Sequence, residues 1–159
     1  MKTLVLKKNP DAKIPEKAHD SDFAYDVYAT SEQELAPGVW KYALGIALQI
    51  ETKPFKETMV IGYRLDSRSS VWKTGMILSN GPGTIDMDYT GEICAVFYQV
   101  IPEGTPWKDG DKTGVIERYH VGDKLGQIHL EISWNLEFEE VDSLEETERG
   151  EKGYGSSGK

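Results

Sequence analysis

Hydrophobic and polar positions alternate along most of this 159-residue chain. The longest run sets Ile128, Leu130, Ile132, Trp134, Leu136 and Phe138 against Gln127, His129, Glu131, Ser133, Asn135 and Glu137. A period of two over that length predicts a strand from Gln127 to Phe138 with one buried face. Tyr42, Leu44, Ile46, Leu48 and Ile50 predict a second strand, and Met59, Ile61, Tyr63 and Leu65 a third after a break at Lys53-Pro54. Between Glu92 and Val100 the apolar run Ile93-Cys94-Ala95-Val96-Phe97-Tyr98 is unbroken, which predicts a strand covered on both sides. Helix signals are confined to Ser69–Gly75, where an N-cap type serine is followed within a turn by glycine, enough for one or two turns. Pro106–Gly114 carries Asp-Gly turn chemistry and predicts a polar hairpin tip. With 16 glycines and 7 prolines as punctuation, these short strands predict an all-β sandwich, jelly roll or barrel.

After Val141 the alternation stops. Asp142–Glu151 carries five acids against Arg149, and Gly153–Lys159 is glycine and serine around Tyr154. The chain thus divides into a β domain over 1–141 and a tail over 142–159 that cannot bury itself and awaits a ligand or partner to order it. The 27 acidic against 18 basic residues give a net charge of −9, which argues against a surface for nucleic acid backbone or anionic lipid. A phosphate ligand must then be met by local cations or a metal. One cysteine, Cys94, excludes an intrachain disulfide and a cysteine zinc cluster. Leu4-Val5-Leu6 is too short for a membrane span or signal peptide core, so a soluble, cytoplasmic chain is the expectation.

Several segments carry candidate chemistry. Gly153-Tyr154-Gly155-Ser156-Ser157-Gly158 matches G-x-G-x-x-G, yet no strand precedes it and no helix can follow, so the dinucleotide reading fails. What remains is a backbone rich in amides and hydroxyls, suited to wrapping phosphates while Tyr154 stacks on a base. Asp86 and Asp88, two apart, would point the same way in an extended segment, which suits activating water or holding a cation. A solvated strand face ending at Gly91 would look the same. Asn80-Gly81-Pro82-Gly83 is a tight turn that a flat ligand could approach. Arg68-Ser69-Ser70 leads into the helical turn as a candidate phosphate site, and Asp22 and Asp26 fit either turn capping or outer-sphere metal ligation.

In order, five blocks resemble the trimeric dUTPase family: Phe23–Ala29, Arg68–Gly75, Asn80–Glu92 (NGPGTIDMDYTGE), Gly122–Gln127 and Arg149–Gly158 (RGEKGYGSSG). The resemblance implies a distorted jelly roll (a β-clip) with one very short helix and a flexible C-terminal arm. It implies a homotrimer with active sites between subunits, and Mg²⁺-dependent hydrolysis of dUTP to dUMP and pyrophosphate, which limits uracil in DNA and supplies dUMP. By that match Asp86 is the general base. Asn80, Gly83 and Ile85 read uracil, Tyr89 packs beneath deoxyribose, and Arg68, Ser69, Ser70 and Gln127 contact phosphates. Asp26 holds a water of the magnesium shell. From another subunit Arg149, Gly155, Ser156 and Ser157 clamp the γ-phosphate as Tyr154 stacks over the base. Lys124, Gly126, Lys152 and Tyr154 stand where arginine, alanine, glycine and phenylalanine are usual, and Glu103–Val121 is longer than usual. A non-catalytic nucleotide-binding member and a dCTP deaminase are the alternatives; the deaminase is disfavoured because its catalytic glutamate would align near Val96.

Overall fold

The computed structural model describes residues 2–51, 59–148 and 150. Among them the alternating segments become strands β1 (Lys2–Lys7), β2 (Tyr25–Tyr28), β3 (Ser31–Ala36), β4 (Val39–Ala43), β5 (Ile46–Glu51) and β6 (Met59–Ser67). They continue as β7 (Met76–Leu78), β8 (Gly83–Ile85), β9 (Cys94–Gln99), β10 (Pro106–Asp109), β11 (Lys112–Val115) and β12 (Lys124–Trp134). One antiparallel sheet runs β2-β12-β6-β8 and a second runs β3-β4-β9-β7, while β1-β5 and β10-β11 are two-stranded ribbons. The inner faces of the two sheets meet in one core: Val27, Ile61, Leu65 and Ile128 from the first, Tyr42, Leu78, Ala95 and Phe97 from the second. Tyr42 is fully buried because its hydroxyl donates to the Tyr119 carbonyl at 2.8 Å, so no polar atom is stranded there. The all-β expectation holds. No helix among the described residues is long and apolar enough to cross a membrane.

Three strand expectations need correction. The segment from Tyr42 to Ile50 is two strands in different sheets, broken at Leu44-Gly45, where Gly45 takes φ +67° and an added Cβ would stand 2.9 Å from side chains of Ala12, Asn9 and Thr30. Strand β9 is covered on one face: Ala95 and Phe97 are buried, whereas Tyr98 on the other face is 48% exposed. Strand β12 starts at Lys124 and stops at Trp134, and its apolar face emerges from cover along its length. Ile128 is buried, Ile132 and Trp134 are exposed, and Phe138 beyond the strand is 91% exposed. The cause is pairing: β2 reaches only to Ile128, and β6 ends opposite Trp134.

The helical signal becomes a single 3-10 turn, Val71–Thr74, closed by Gly75 at φ +63°. The hairpin expectation also holds, with Asp109 opposite Lys112 and the loop Gly110-Asp111 between them. Residues 142–148 are exposed and carry neither helix nor strand. The break at Lys53-Pro54 and the tail's Arg149, Lys152, Tyr154, Gly155, Ser156 and Ser157 lie outside the described residues.

Candidate active site

Two groups of the expected residues assemble. The first forms where β2 lies beside β12, with Gln127 opposite Asp26. Strict alternation would put Lys124 and Gln127, three residues apart, on opposite faces of β12. A bulge between Lys124 and Gly126 adds one residue, and both side chains reach Asp26. Lys124 Nζ donates to Asp26 Oδ2 at 2.8 Å and Gln127 Nε2 to Oδ1 at 3.3 Å. Arg68 Nε lies 3.9 Å from Oδ1, and its Nη1 donates to the Lys124 carbonyl at 3.3 Å. Asp26 is only 6% exposed. Burial works to raise its carboxyl, but the bonds from Lys124 and Gln127 and the charges of Lys124 and Arg68 outweigh it and hold the group below 3.8. Ser69, exposed, and Ser70, half-buried, follow Arg68 into the turn.

The second group surrounds the end of β8, which is held on β6 with Ile85 opposite Tyr63 and Gly83 opposite Leu65. Asn80, Gly83, Ile85, Asp86 and Tyr89 line a cavity of about 460 Å³. Tyr89 is fixed there by its hydroxyl, which donates to the Glu92 carbonyl at 3.0 Å. The carboxylates of Asp86 and Asp88 are not a same-side pair. The strand ends at Ile85 and the chain turns, with Tyr89 N donating to the Asp86 carbonyl at 3.1 Å, so Asp86 lines the cavity and Asp88 does not.

Sequence reasoning missed part of each group. Lys124 registered only as a replacement, since its approach to Asp26 depends on the bulge. Lys41, Glu92 and Cys94 also line the Asp86 cavity. Lys41 left one signal, a cation alternating with Val39 and Ala43 on a strand otherwise apolar on that face. Burial pushes the Cys94 thiol up, Lys41 pulls it partly back and Glu92 adds to the rise, so the thiol stays protonated at neutral pH. Asp22 takes the turn-capping alternative: its Oδ2 accepts from His19 N at 2.9 Å.

The Asp26 cluster and the Asp86 cavity do not merge; none of Asp26, Arg68, Lys124 and Gln127 lines the Asp86 cavity. Among the described residues no group of three or more histidine, cysteine or acidic side chains could hold a metal ion. Asp26 spends one hydrogen bond at each carboxylate oxygen, which leaves a lone pair on each for a water. That donor set suits a hydrated ion arriving with a ligand rather than one caged by protein.

Comparison with known proteins extends this picture. The chain is 31% identical over 158 residues to the deoxyuridine 5′-triphosphate nucleotidohydrolase of Corynebacterium glutamicum, covering 98% of this chain and 93% of that one. It is 33% identical over 161 residues to the protein of the same name from Clostridium tetani, covering 100% and 97%. The solved structure of the dUTPase from Staphylococcus bacteriophage 80alpha with dUpNHpp has the same fold, with a TM-score of 0.72 over 99% of this chain and 98% of that chain at 24% identity. The dUTPase family model matches residues 10–158, nearly the whole chain, a span that holds β2 to β12 and both clusters described above: the chain belongs to the dUTPase family.

Proposed function

We propose that this chain hydrolyses dUTP to dUMP and pyrophosphate, with Asp86 orienting a water toward the α-phosphate and accepting its proton. The observation that carries the reading is Asp86 itself. Its carboxylate lines the cavity with no hydrogen bond or ion pair to a described residue, beside the exposed Tyr89 ring and the backbone of Gly83–Ile85. Exposed and unpaired among the described residues, the carboxylate is available to water in the cavity.

The other roles follow from position. Asn80 and the backbone at Gly83 and Ile85 read the uracil edge, and Tyr89 packs under deoxyribose, so a thymine methyl or a ribose 2′-hydroxyl finds no room. Arg68, Ser69, Ser70 and Gln127 meet phosphate oxygens, joined by Lys124. Asp26 holds a water of the Mg²⁺ shell, and the ion, when bound, neutralises phosphate charge. Arg149, Gly155, Ser156 and Ser157 close from another subunit, with Tyr154 over the base. Two observations support a homotrimer with shared sites: the Asp26 cluster does not line the Asp86 cavity of the same chain, and Ile132, Trp134, Leu136 and Phe138 are exposed in succession.

The test is pyrophosphate release from dUTP, dCTP, dTTP and UTP by the purified protein, with Mg²⁺ and then with excess chelator. Release from dUTP alone, lost on chelation, is the expected result. Tight dUTP binding without release contradicts it and indicates a binding or regulatory protein, and ammonia release from dCTP indicates a deaminase.

A further inference from the structure

The hairpin β10-β11 leans on the turn that follows Arg68. The Trp107 indole meets the Trp72 indole edge-on, with ring centres 5.2 Å apart. The Lys73 ammonium lies 4.8 Å from the centre of the Trp107 ring and 5.3 Å from that of Trp72. Trp107 is itself fixed in place. Its Nε1 donates to the Val115 carbonyl at 2.9 Å, and its ring lies against Gly114, where an added Cβ would collide with it. Just past the hairpin, Glu117 N donates to the Lys73 carbonyl at 3.3 Å.

The Val71–Thr74 turn has little hold of its own beyond Val71, which packs partly buried against the core. It is four residues of 3-10 helix with no side-chain cap at Ser70, no acid in its first turn and no buried residue of its own. So short a helix forms only when neighbours hold it. Gln99 holds one end, its Nε2 donating to the Thr74 carbonyl at 3.0 Å. The hairpin holds the flank. Val71 N donates to the Arg68 carbonyl at 3.0 Å and Lys73 N to the Ser70 carbonyl at 3.0 Å, so Arg68-Ser69-Ser70 moves with the turn.

We propose that Trp107 is a positioning residue, which by clamping Trp72 and Lys73 sets the turn that presents Arg68, Ser69 and Ser70 to the substrate's phosphates. This rests on the reading of that turn as a phosphate contact. Aromatic pairing and a cation over the ring supply the hold. The long segment between Glu103 and Val121 thereby becomes part of the catalytic frame rather than surface decoration.

The experiment measures affinity for dUpNHpp and for deoxyuridine, which has no phosphate, on full-length wild type, Arg68→Ala, Trp107→Ala and Trp107→Phe. A turn displaced by a fraction of an ångström should cost about tenfold in dUpNHpp affinity in Trp107→Ala. Deoxyuridine affinity stays at the wild-type value, and Trp107→Phe, which keeps a ring, restores most of the loss. If the alanine variant does not fold, Gly114→Ala, whose added Cβ collides with the Trp107 ring and displaces it without changing any charge, is read the same way. Wild-type dUpNHpp binding in Trp107→Ala alongside a loss in Arg68→Ala overturns the positioning role and leaves the phosphate reading intact. Equal loss of both ligands also overturns it, as general damage. Wild-type binding in Arg68→Ala overturns the phosphate reading, and the positioning role falls with it.

Discussion

The Lys124 ammonium stands 2.8 Å from the Asp26 carboxylate, and a bulge rather than strand alternation brings them together. The pair neutralises a buried acid inside the cluster proposed to meet phosphates, and keeps two cations, Lys124 and Arg68, close together.

This pairing has a pH signature. Because bonds and charges outweigh burial, the native Asp26 carboxyl is more acidic than its unfolded counterpart. As pH falls the unfolded chain takes the proton first, so the stabilisation is complete above the ordinary value of 3.8 and is lost as pH falls through the lower native value. Urea unfolding should show wild type losing stability more steeply than Asp26→Asn between about pH 5 and pH 3. At neutral pH the variant should be less stable by about 1–3 kcal/mol. Parallel pH profiles would contradict the pairing.

Gly45→Ala tests the break between β4 and β5. A side chain there must adopt φ +67° and displace Ala12, Asn9 and Thr30, which should cost about 2–3 kcal/mol in urea unfolding. The Asp86 cavity does not include Gly45, so KM for dUTP should be unchanged in the folded fraction. A stable Gly45→Ala protein would mean that the chain can pass between the sheets by another route.

Much of this was legible in the sequence because the signals were local. Alternation marked Met59–Leu65 as a strand, Gly75 closed the predicted turn, and Asn80, Gly83, Ile85, Asp86 and Tyr89 of one block line one cavity. The failures have a common physical cause, which is that a neighbour strand decides what a period of two means. Tyr42–Ile50 kept its rhythm across a change of sheet, Ile132 and Trp134 kept theirs past the end of β2 and Leu136 and Phe138 past the end of β6, and Lys124 reached Asp26 only through an extra residue. Lys41 stood out locally as a cation alternating with Val39 and Ala43, but the cavity it lines is set by segments distant in sequence.

Cys94 reports on the cavity. With its thiol half-buried and its acidity weakened, alkylation by iodoacetamide at pH 8 should be slower than in the unfolded chain. A nucleotide seated against Asp86 should slow it further, because both residues line the same space. Alkylation at an unchanged rate with saturating dUpNHpp would place the nucleotide elsewhere.

Separate clusters on one chain make a mixing experiment informative. Arg68→Ala damages one cluster and Asp86→Asn the other, and each variant alone should be nearly inactive. If sites form between subunits, mixing the two after unfolding and refolding should restore part of the activity, because some sites receive both intact halves. No recovery, with mixed oligomers demonstrated by mass, would mean that each site draws both clusters from a single chain.

The central claim is that Asp86 drives the chemistry, and its most direct test is pyrophosphate release from dUTP by Asp86→Asn beside wild type, with dUpNHpp affinity measured on both. Loss of the water-activating base predicts a fall in turnover of about 10²–10⁴-fold with the analogue still bound at close to wild-type affinity. Release from the variant at the wild-type rate would contradict the account, because the free carboxylate in the cavity would then have no part in the reaction.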